Sequence, residues 1–335
     1  MSDLDAGEDE PLLAVRDLRT VFHTDRETVR AVDGISFDIE RGETVGLVGE
    51  SGSGKSVTAR SILGLVDSPG VIEGGEIRFR GEDLTDDNWD EHRGDIAIVF
   101  QDPSSLNPVY TVGNQIREAL EIHQGLRGDE AAERAVELLE TVGIPDAKRR
   151  ADEYPHQLSG GMQQRAVIAV ALACDPDLLV CDEPTTALDV TIQAQILDLL
   201  DELRREKGLA ILLITHDMGV IEDATSRVNV MYAGEIVERA PTAALFERPE
   251  HPYTRALLRS IPGSAAVDER LPTIEGEVPT PTEPAESCRF APRCPEAFED
   301  CSAVHPEATG VGREGTDHVA ACLLHESGFE TEDDR

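Results

Sequence analysis

Strand-like and helix-like patterns of apolar and polar residues alternate along the first two hundred positions of the chain. Short runs rich in apolar and β-branched residues predict buried strands at 43–48, 96–100, 178–181 and 210–214. Longer segments with helical periodicity follow several of these runs. Such alternation favours an α/β domain built on a largely parallel sheet. Before the first of these predicted strands, residues 12–16 and 32–38 have the pattern of antiparallel strands.

The pattern changes twice further along the chain. Residues 111–150 are rich in Glu, Ala and Leu, which predicts an inserted helical subdomain within about 104–170. Beyond about residue 240, Pro and Glu become frequent and Cys residues cluster. We therefore predict a disordered acidic lead at 1–10, a main domain at 11–240 and a smaller C-terminal extension at 241–335.

Residues 49–56 read Gly-Glu-Ser-Gly-Ser-Gly-Lys-Ser, which fits the whole phosphate-binding pattern G-x-x-x-x-G-K-[ST]. A predicted strand precedes this loop and a predicted helix at 57–65 follows it. Glycines let backbone N–H groups turn toward phosphates, and a helix N-terminus favours an anion. Lys55 should reach the β- and γ-phosphates, and the Ser56 hydroxyl should bind Mg²⁺. The predicted nucleotide-binding residues of the loop are Gly49, Ser51, Gly52, Ser53, Gly54, Lys55, Ser56 and Val57.

The apolar run at 178–181 ends in two adjacent acids, Asp182 and Glu183. Alone, such a pair is typical of an ordinary protein surface. Together with a complete phosphate-binding loop, it predicts that Asp182 holds Mg²⁺, directly or through water. Glu183 would then orient and polarise the attacking water.

Between these two motifs, residues 158–165 read Leu-Ser-Gly-Gly-Met-Gln-Gln-Arg. This segment resembles the LSGGQ signature of ABC ATPases, with Met162 where many members have Gln. The remaining landmarks of that family are also present: Gln101 matches the Q-loop, Ala187-Leu188-Asp189 the D-loop, His216 the switch histidine and Phe22 the adenine-stacking aromatic. The resemblance covers residue 12 to about 325. It implies an α/β P-loop NTPase with a RecA-like core, an antiparallel β subdomain and an inserted helical subdomain.

The resemblance also implies a role for each landmark. Ser159, Gly160 and Gly161 would bind the γ-phosphate of ATP held by a second cassette, so that ATP joins two cassettes at a shared interface. Phe22 would offer its ring to adenine. The implied catalytic residues are Glu183, His216 and Gln101; the implied Mg²⁺ ligands are Ser56, Gln101 and Asp182; and Asp189 lies at the nucleotide.

The charge balance narrows the choice of partners. The chain has 67 acids against 30 Lys and Arg, for a formal net charge of −37, and the acids are spread along its whole length. A dispersed negative excess argues against nucleic acid and against anionic lipid as partners. Repulsion of this size destabilises a compact state at low salt, which favours a halophilic cytosol over an acidic mesophilic protein.

The six cysteines fall into two groups. Cys174 and Cys181 lie in apolar context and are predicted to be small core residues. Cys288, Cys294, Cys301 and Cys322 cluster in the extension, and since a cytosolic chain should not use stable disulfides, they suggest a metal site. Their spacing does not identify the metal. Residues 288–295 resemble the C-terminal domain of peptide-importer ATPases, some of which hold a [4Fe–4S] cluster; zinc and unmetallated thiols stay open.

Residues 251–258, which read His-Pro-Tyr-Thr-Arg-Ala-Leu-Leu, and the Ser-Ile-Pro at 260–262 also resemble a stretch typical of peptide-importer ATPases. The implied function is the ATP-hydrolysing subunit of an ABC importer for oligopeptides or dipeptides. Its implied partners are a second, similar but distinct ABC ATPase, two transmembrane permease subunits and, indirectly, an external substrate-binding protein.

Several alternatives stay open at the level of sequence. The importer could carry another solute such as nickel, or the chain could be a soluble ABC ATPase of DNA repair or the ribosome, or a regulatory cassette that does not hydrolyse ATP. The chain lacks a run of about 20 apolar residues and a basic-then-apolar N-terminus. We therefore expect a peripheral protein at the cytoplasmic face of the membrane, held there by the permease subunits.

Overall fold

The computed structural model describes residues 10–85, 88–100, 105–186, 188–261, 274–312, 317–327 and 329. The chain folds as two units, one formed by residues 1–40, 44–86 and 213–335 and the other by residues 41–43 and 87–212.

The strands are β1 Leu13–His23, β2 Thr28–Ile39, β3 Thr44–Val48, β4 Gly70–Phe79, β5 Glu82–Asp83, β6 Ile96–Val99, β7 Leu178–Asp182, β8 Ala210–Thr215, β9 Arg227–Tyr232, β10 Glu235–Pro241, β11 Ala308–Gly310 and β12 Val319–Ala321. The helices are α1 Lys55–Ile62, α2 Val112–His123, α3 Gly128–Thr141, α4 Ala147–Arg150, α5 Gly160–Leu172, α6 Val190–Lys207, α7 Met218–Ala224, α8 Thr242–Glu247 and α9 Pro252–Arg259.

The first unit contains an antiparallel sheet with the strand order β2-β1-β4-β5. Its central strand, β1, places Leu13 opposite Ile39 of β2 and Phe79 of β4. All three side chains are buried, as expected where alternate residues of a strand face one side of a sheet. The antiparallel strands predicted at 12–16 and 32–38 are confirmed, although β1 and β2 extend further and meet in a hairpin.

The same unit contains a second set of paired strands. β3 runs parallel to β9, β9 pairs antiparallel with β10, β10 with β12, and β12 with β11. Every residue of β3 is buried, which explains its largely apolar sequence. The pairing of β10 with β12 joins residues 238–239 to residues 319–320, so β12 is part of this unit.

The second unit pairs β6 and β7 in parallel, with Ile96 opposite Leu178. Helices α2 to α6 belong to this unit and bury apolar faces, for example Ile116 and Leu120 of α2 and Leu138 of α3. The helical character predicted for 111–150 is confirmed. No helix among the residues described has the length and apolar character needed to cross a membrane.

The predicted strands at 43–48, 96–100, 178–181 and 210–214 are confirmed, with ends that differ by one residue or less. The helix predicted at 57–65 begins earlier, at Lys55, and ends earlier, at Ile62. It ends there because Gly64 adopts a φ of +65°, a left-handed conformation that stops a helix.

Candidate nucleotide site and cysteine cavity

The loop at 49–54 leads from β3 directly into α1. Gly54 has a φ of +109°, and a Cβ there would lie 2.2 Å from the carbonyl oxygen of Ala31. A Cβ at Gly49 would lie 2.1 Å from the carbonyl oxygen of Met231. Both positions therefore require glycine, and the tight loop path depends on them.

Polar groups of the loop fit an anionic ligand. The Lys55 ammonium donates to the carbonyl oxygens of Gly49 at 2.8 Å and Glu50 at 2.9 Å, and it is 5% exposed. The Ser53 hydroxyl is buried and has no hydrogen-bond partner within the described part of the chain. Ser56 is exposed on the first turn of α1, where backbone N–H groups lack intrahelical partners. These donors suit a bound phosphate chain.

Two further predicted residues lie in the same unit. Phe22 is half-buried in β1, and its ring lies so close to Gly70 that a Cβ there would be 2.7 Å from Phe22 Cε1. His216 is exposed immediately after β8. Asp217, the next residue, caps α7 by accepting from the backbone N–H of Gly219.

The acidic pair lies at the end of β7, in the second unit. Asp182 is 9% exposed. Glu183 has a φ of +51°, an uncommon conformation for a residue with a side chain, and its carboxylate accepts from the Thr186 hydroxyl at 2.9 Å. A backbone conformation of this kind costs energy and recurs at functional sites.

The signature segment begins helix α5. Ser159 is the N-cap residue, and its hydroxyl accepts from the backbone N–H of Met162 at 3.4 Å. Gly160 and Gly161 form the first turn, and a Cβ at Gly161 would lie 2.6 Å from Ile192 Cγ2. Because Asp189 caps the helix that carries Ile192, the structure brings the signature and Asp189 together. Gln101 and Ala187 lie outside the described residues.

The four C-terminal cysteines converge. Cys288, Cys294, Cys301 and Cys322 line one small cavity, together with His251, Phe290 and Leu323. The backbone N–H of Cys288 donates to the carbonyl oxygen of Cys301 at 3.1 Å. Burial raises the pKa of Cys294 to about 11 and that of Cys322 to about 12. The residues described contain no group of three or more His, Cys, Asp or Glu side chains arranged around a single metal ion.

The other two cysteines differ from each other. Cys181 is fully buried in β7, as predicted, and burial raises the pKa of its thiol. Cys174 is only partly buried, because it lies just beyond the end of α5 rather than inside a strand or helix. Its prediction as a core residue is therefore only half right.

An aromatic cluster joins residues 288–294, which we call the cysteine segment, to the rest of the first unit. Phe290 lies with its ring centroid 5.2 Å from that of Tyr232 and 5.4 Å from that of Tyr253. Tyr253 also accepts a hydrogen bond from the backbone N–H of Glu50 at 2.9 Å, and the Arg293 guanidinium binds the Glu50 carboxylate. Sequence reasoning missed these contacts, since no local pattern relates residues so far apart.

Comparison with known proteins places the chain among transport ATPases. A family model described as "ABC transporter" matches residues 32–186, and one described as "Oligopeptide/dipeptide transporter, C-terminal region" matches residues 237–301. The oligopeptide transport ATP-binding protein AppD of Bacillus subtilis is 52% identical over 296 residues, which are 87% of this chain and 90% of AppD. The dipeptide transport ATP-binding protein DppD of Escherichia coli is 49% identical over 300 residues, which are 88% of this chain and 92% of DppD.

Solved structures give the same result. A dimeric ATP-binding cassette in a post-hydrolysis state, bound to ADP and Pi, has a TM-score of 0.62 and 31% identity, and the match covers 69% of this chain and 98% of that one. The cbiO1 protein of Clostridium perfringens, part of an ABC transporter complex, has a TM-score of 0.62 and 29% identity over 72% of this chain and 92% of its own.

Proposed function

The chain belongs to the family of ABC transporter ATP-binding subunits, and from this we propose that it powers the import of oligopeptides or dipeptides. The fold predicted from the sequence, an α/β P-loop ATPase, is confirmed by the likeness to solved ATP-binding cassettes. The observation that carries the choice of peptides is the C-terminal region, residues 237–301, which matches the model of oligopeptide and dipeptide transporters. AppD and DppD, whose names state oligopeptide and dipeptide transport, support it over about nine-tenths of their own length.

ATP hydrolysis is the reaction of this family, and we propose a role in it for each residue of this chain that matches one of the family's motifs. The loop at 49–56 binds the phosphates through its backbone N–H groups and Lys55. Glu183 orients the attacking water and accepts its proton during attack, and His216 contacts the γ-phosphate. Phe22 stacks on adenine. Mg²⁺ suits the hydroxyl of Ser56 and the carboxylate of Asp182, and when bound it neutralises charge on the phosphates.

We propose that two cassettes share each ATP. Ser159, with the first turn of α5, presents a hydroxyl and a helix N-terminus that suit a γ-phosphate bound by the opposite cassette. Gln101 would link the nucleotide to the transmembrane subunits. The proposed partners are a similar but distinct ATPase and two permeases, with an external binding protein acting through them, and the proposed location is the cytoplasmic face of the membrane.

The cysteine cavity supports a cofactor. Four Cys side chains from separate stretches of the extension converge on one cavity, and thiolates are the ligands that iron–sulfur clusters and zinc prefer. We propose a structural [4Fe–4S] cluster held by Cys288, Cys294, Cys301 and Cys322, with zinc as the alternative. Iron, sulfide and zinc content of anaerobically purified protein distinguishes the two.

The net charge of −37 supports operation at high salt. Salt of about 1 M shortens the screening length to about 3 Å, which removes most repulsion between surface carboxylates. We therefore propose that the protein belongs to a halophilic cytosol.

Uptake into vesicles tests the proposed function. The full transporter, reconstituted with its binding protein and ATP, should accumulate labelled peptides, and Lys55→Ala should stop both uptake and hydrolysis. Lys148→Ala, at an exposed position of α4, is the matched control and should retain both. Accumulation of Ni²⁺ without peptide would contradict the proposed substrate, and hydrolysis by Lys55→Ala at the normal rate would contradict the proposed site.

A further inference from the structure

We propose that Arg293, in the C-terminal cysteine segment, is a positioning residue of the phosphate-binding loop that acts through Glu50. Its guanidinium fixes the Glu50 side chain and neutralises a carboxylate that lies within the loop. The inference rests on the proposed role of residues 49–56 in binding ATP, and it gives the C-terminal extension a part in nucleotide binding.

The contact between the two side chains is bidentate. Arg293 Nη1 donates to Glu50 Oε2 at 2.8 Å, and Arg293 Nη2 donates to Glu50 Oε1 at 3.1 Å. The Arg293 side chain is 6% exposed and that of Glu50 is 28% exposed. Paired, charge-assisted bonds of this geometry are stronger and more directional than the contact of a surface ion pair. Glu50 is therefore held in one orientation.

Arg293 is itself anchored by backbone carbonyl groups. It donates to the backbone carbonyl oxygens of Ile274, Glu275 and Gly276 at 2.9–3.3 Å. Its guanidinium also lies over the ring of Tyr232, 5.7 Å from the centroid. Because each nitrogen of the Arg293 guanidinium donates to a fixed acceptor, the guanidinium has little freedom to turn away from Glu50.

Glu50 transmits this constraint to the loop backbone. Its N–H donates to the Tyr253 hydroxyl at 2.9 Å, and its carbonyl oxygen accepts from Lys55 Nζ at 2.9 Å and from the Ser53 N–H at 3.2 Å. A shift of Glu50 would therefore move an acceptor of Lys55, the residue proposed to reach the phosphates. The C-terminal extension supplies two of the residues that hold Glu50, namely Arg293 and Tyr253.

The electrostatic consequence follows from where Glu50 lies. Without Arg293, a carboxylate would stand uncompensated in a loop that must accept the polyanionic triphosphate of ATP. Repulsion of like charges weakens binding, and the unpaired side chain is free to distort the loop. Because Glu50 acts on the binding of phosphates rather than on the attacking water, the loss should appear in KM and Kd for ATP much more than in kcat.

A double-mutant cycle tests the proposal. Arg293→Gln should raise the Kd for a fluorescent ATP analogue on the full chain, and the KM for ATP of the assembled transporter, by about tenfold, while kcat changes by less than about threefold. In a Glu50→Gln background the same change should have less than about twofold effect, because the carboxylate that Arg293 neutralises has gone.

Arg255→Gln is the matched control. Arg255 lies in the same unit and also pairs with a carboxylate, since its Nη1 donates to both oxygens of Glu296 at 2.7 and 2.9 Å. Its other donors bind the carbonyl oxygens of Pro249 and Glu250, which lie outside the loop. It should leave the Kd for ATP within about twofold of the wild type. The melting temperature and metal content of each variant, measured alongside, show whether Arg293→Gln is folded. Glu50→Gln removes the same ion pair from the side of the loop and leaves the sequence of the cysteine segment unchanged.

Three outcomes would overturn the proposed role of Arg293. An Arg293→Gln protein with unchanged Kd and KM overturns the proposal, and so does an equal loss of affinity in the Glu50→Gln background. An equal loss in Arg255→Gln assigns the effect to general damage of the extension and overturns it as well. If Lys55→Ala binds ATP as tightly as the wild type, the proposed function of the loop fails instead, independently of Arg293.

Discussion

Replacing Glu238 by Gln should destabilise the fold, because this buried carboxylate joins three parts of the first unit. Glu238 lies in β10 and is 1% exposed. Its Oε1 accepts from the backbone N–H of Glu250 at 2.8 Å and lies 2.8 Å from His318 Nε2, while its Oε2 accepts from the backbone N–H of His251 at 2.9 Å. The Glu238 side chain thus joins strand β10 to the start of α9 and to the residue before β12.

The size of the effect follows from these contacts. Glutamine keeps one oxygen, so at least one of the three donors faces its NH₂ group and loses its acceptor. A hydrogen bond to a charged group contributes about 1.5–3 kcal/mol, and a buried donor without a partner costs about 1–3 kcal/mol more. We expect a loss of about 3 kcal/mol in the free energy of unfolding, which corresponds to a fall of roughly 4 °C in Tm for a chain of 335 residues.

The pH dependence has a definite sign. Burial pushes the pKa of Glu238 upward, but hydrogen bonds from His318 and the backbone of Glu250 and His251 outweigh it, so the folded pKa lies below the ordinary value of 4.5. The unfolded chain therefore binds this proton at a higher pH than the folded chain does. The stabilisation is present above about pH 4.5 and is lost as the pH falls through the folded pKa, so the difference between wild type and Glu238→Gln should shrink in acid.

Thermal unfolding in high salt, followed by circular dichroism at pH 7 and at pH 4, measures both effects. Glu296→Gln is the matched control: its partner Arg255 lies at 2.7 Å, but the carboxylate is 42% exposed, so it should cost less than about 1 kcal/mol. A Glu238→Gln protein that melts within about 2 °C of the wild type at pH 7 would refute the reasoning, as would a control that costs as much.

Four further results are expected. Gly54→Ala should weaken ATP binding at least about tenfold in an equilibrium assay, since its Cβ would lie 2.2 Å from the Ala31 carbonyl oxygen at a φ of +109°. Tyr253→Phe should raise the Kd for ATP by about threefold or more in the same assay, because the Glu50 N–H loses its acceptor. Cys301→Ser should lower the measured iron content from the roughly four atoms per chain that a complete cluster would supply. Raising KCl from about 0.1 to 1 M should raise Tm, and a Tm independent of salt would contradict the high-salt proposal.

Features encoded by neighbouring residues could be predicted from the sequence. The loop at 49–56 and its flanking strand and helix were predictable because G-x-x-x-x-G-K-[ST] allows few backbone paths. The buried strands were predictable because each reads as a short run rich in apolar and β-branched residues. The end of α1 was misplaced because Gly64 stops the helix inside a segment that otherwise keeps helical periodicity.

Features made by distant residues could not be predicted in this way. Arg293 and Glu50 are 243 positions apart, and no spacing rule relates them. Glu238 is one of 67 acids in the sequence, and only the fold singles it out as buried. The clustering of the four C-terminal cysteines already suggested a shared metal site, but their irregular spacing fits no single metal motif, so only the family resemblance implied a particular metal.

The most direct test of the account is ATP turnover by the assembled transporter carrying Glu183→Gln, measured together with the ATP-dependent association of the cassettes. Hydrolysis should be nearly abolished while ATP stays bound and the cassettes stay associated, because the loop still binds phosphate but the attacking water has lost its base. Glu206→Gln, at an exposed position of α6, should turn over ATP normally. Normal hydrolysis by Glu183→Gln would contradict the proposed catalytic role of Glu183 and, with it, the mechanism by which this subunit powers transport.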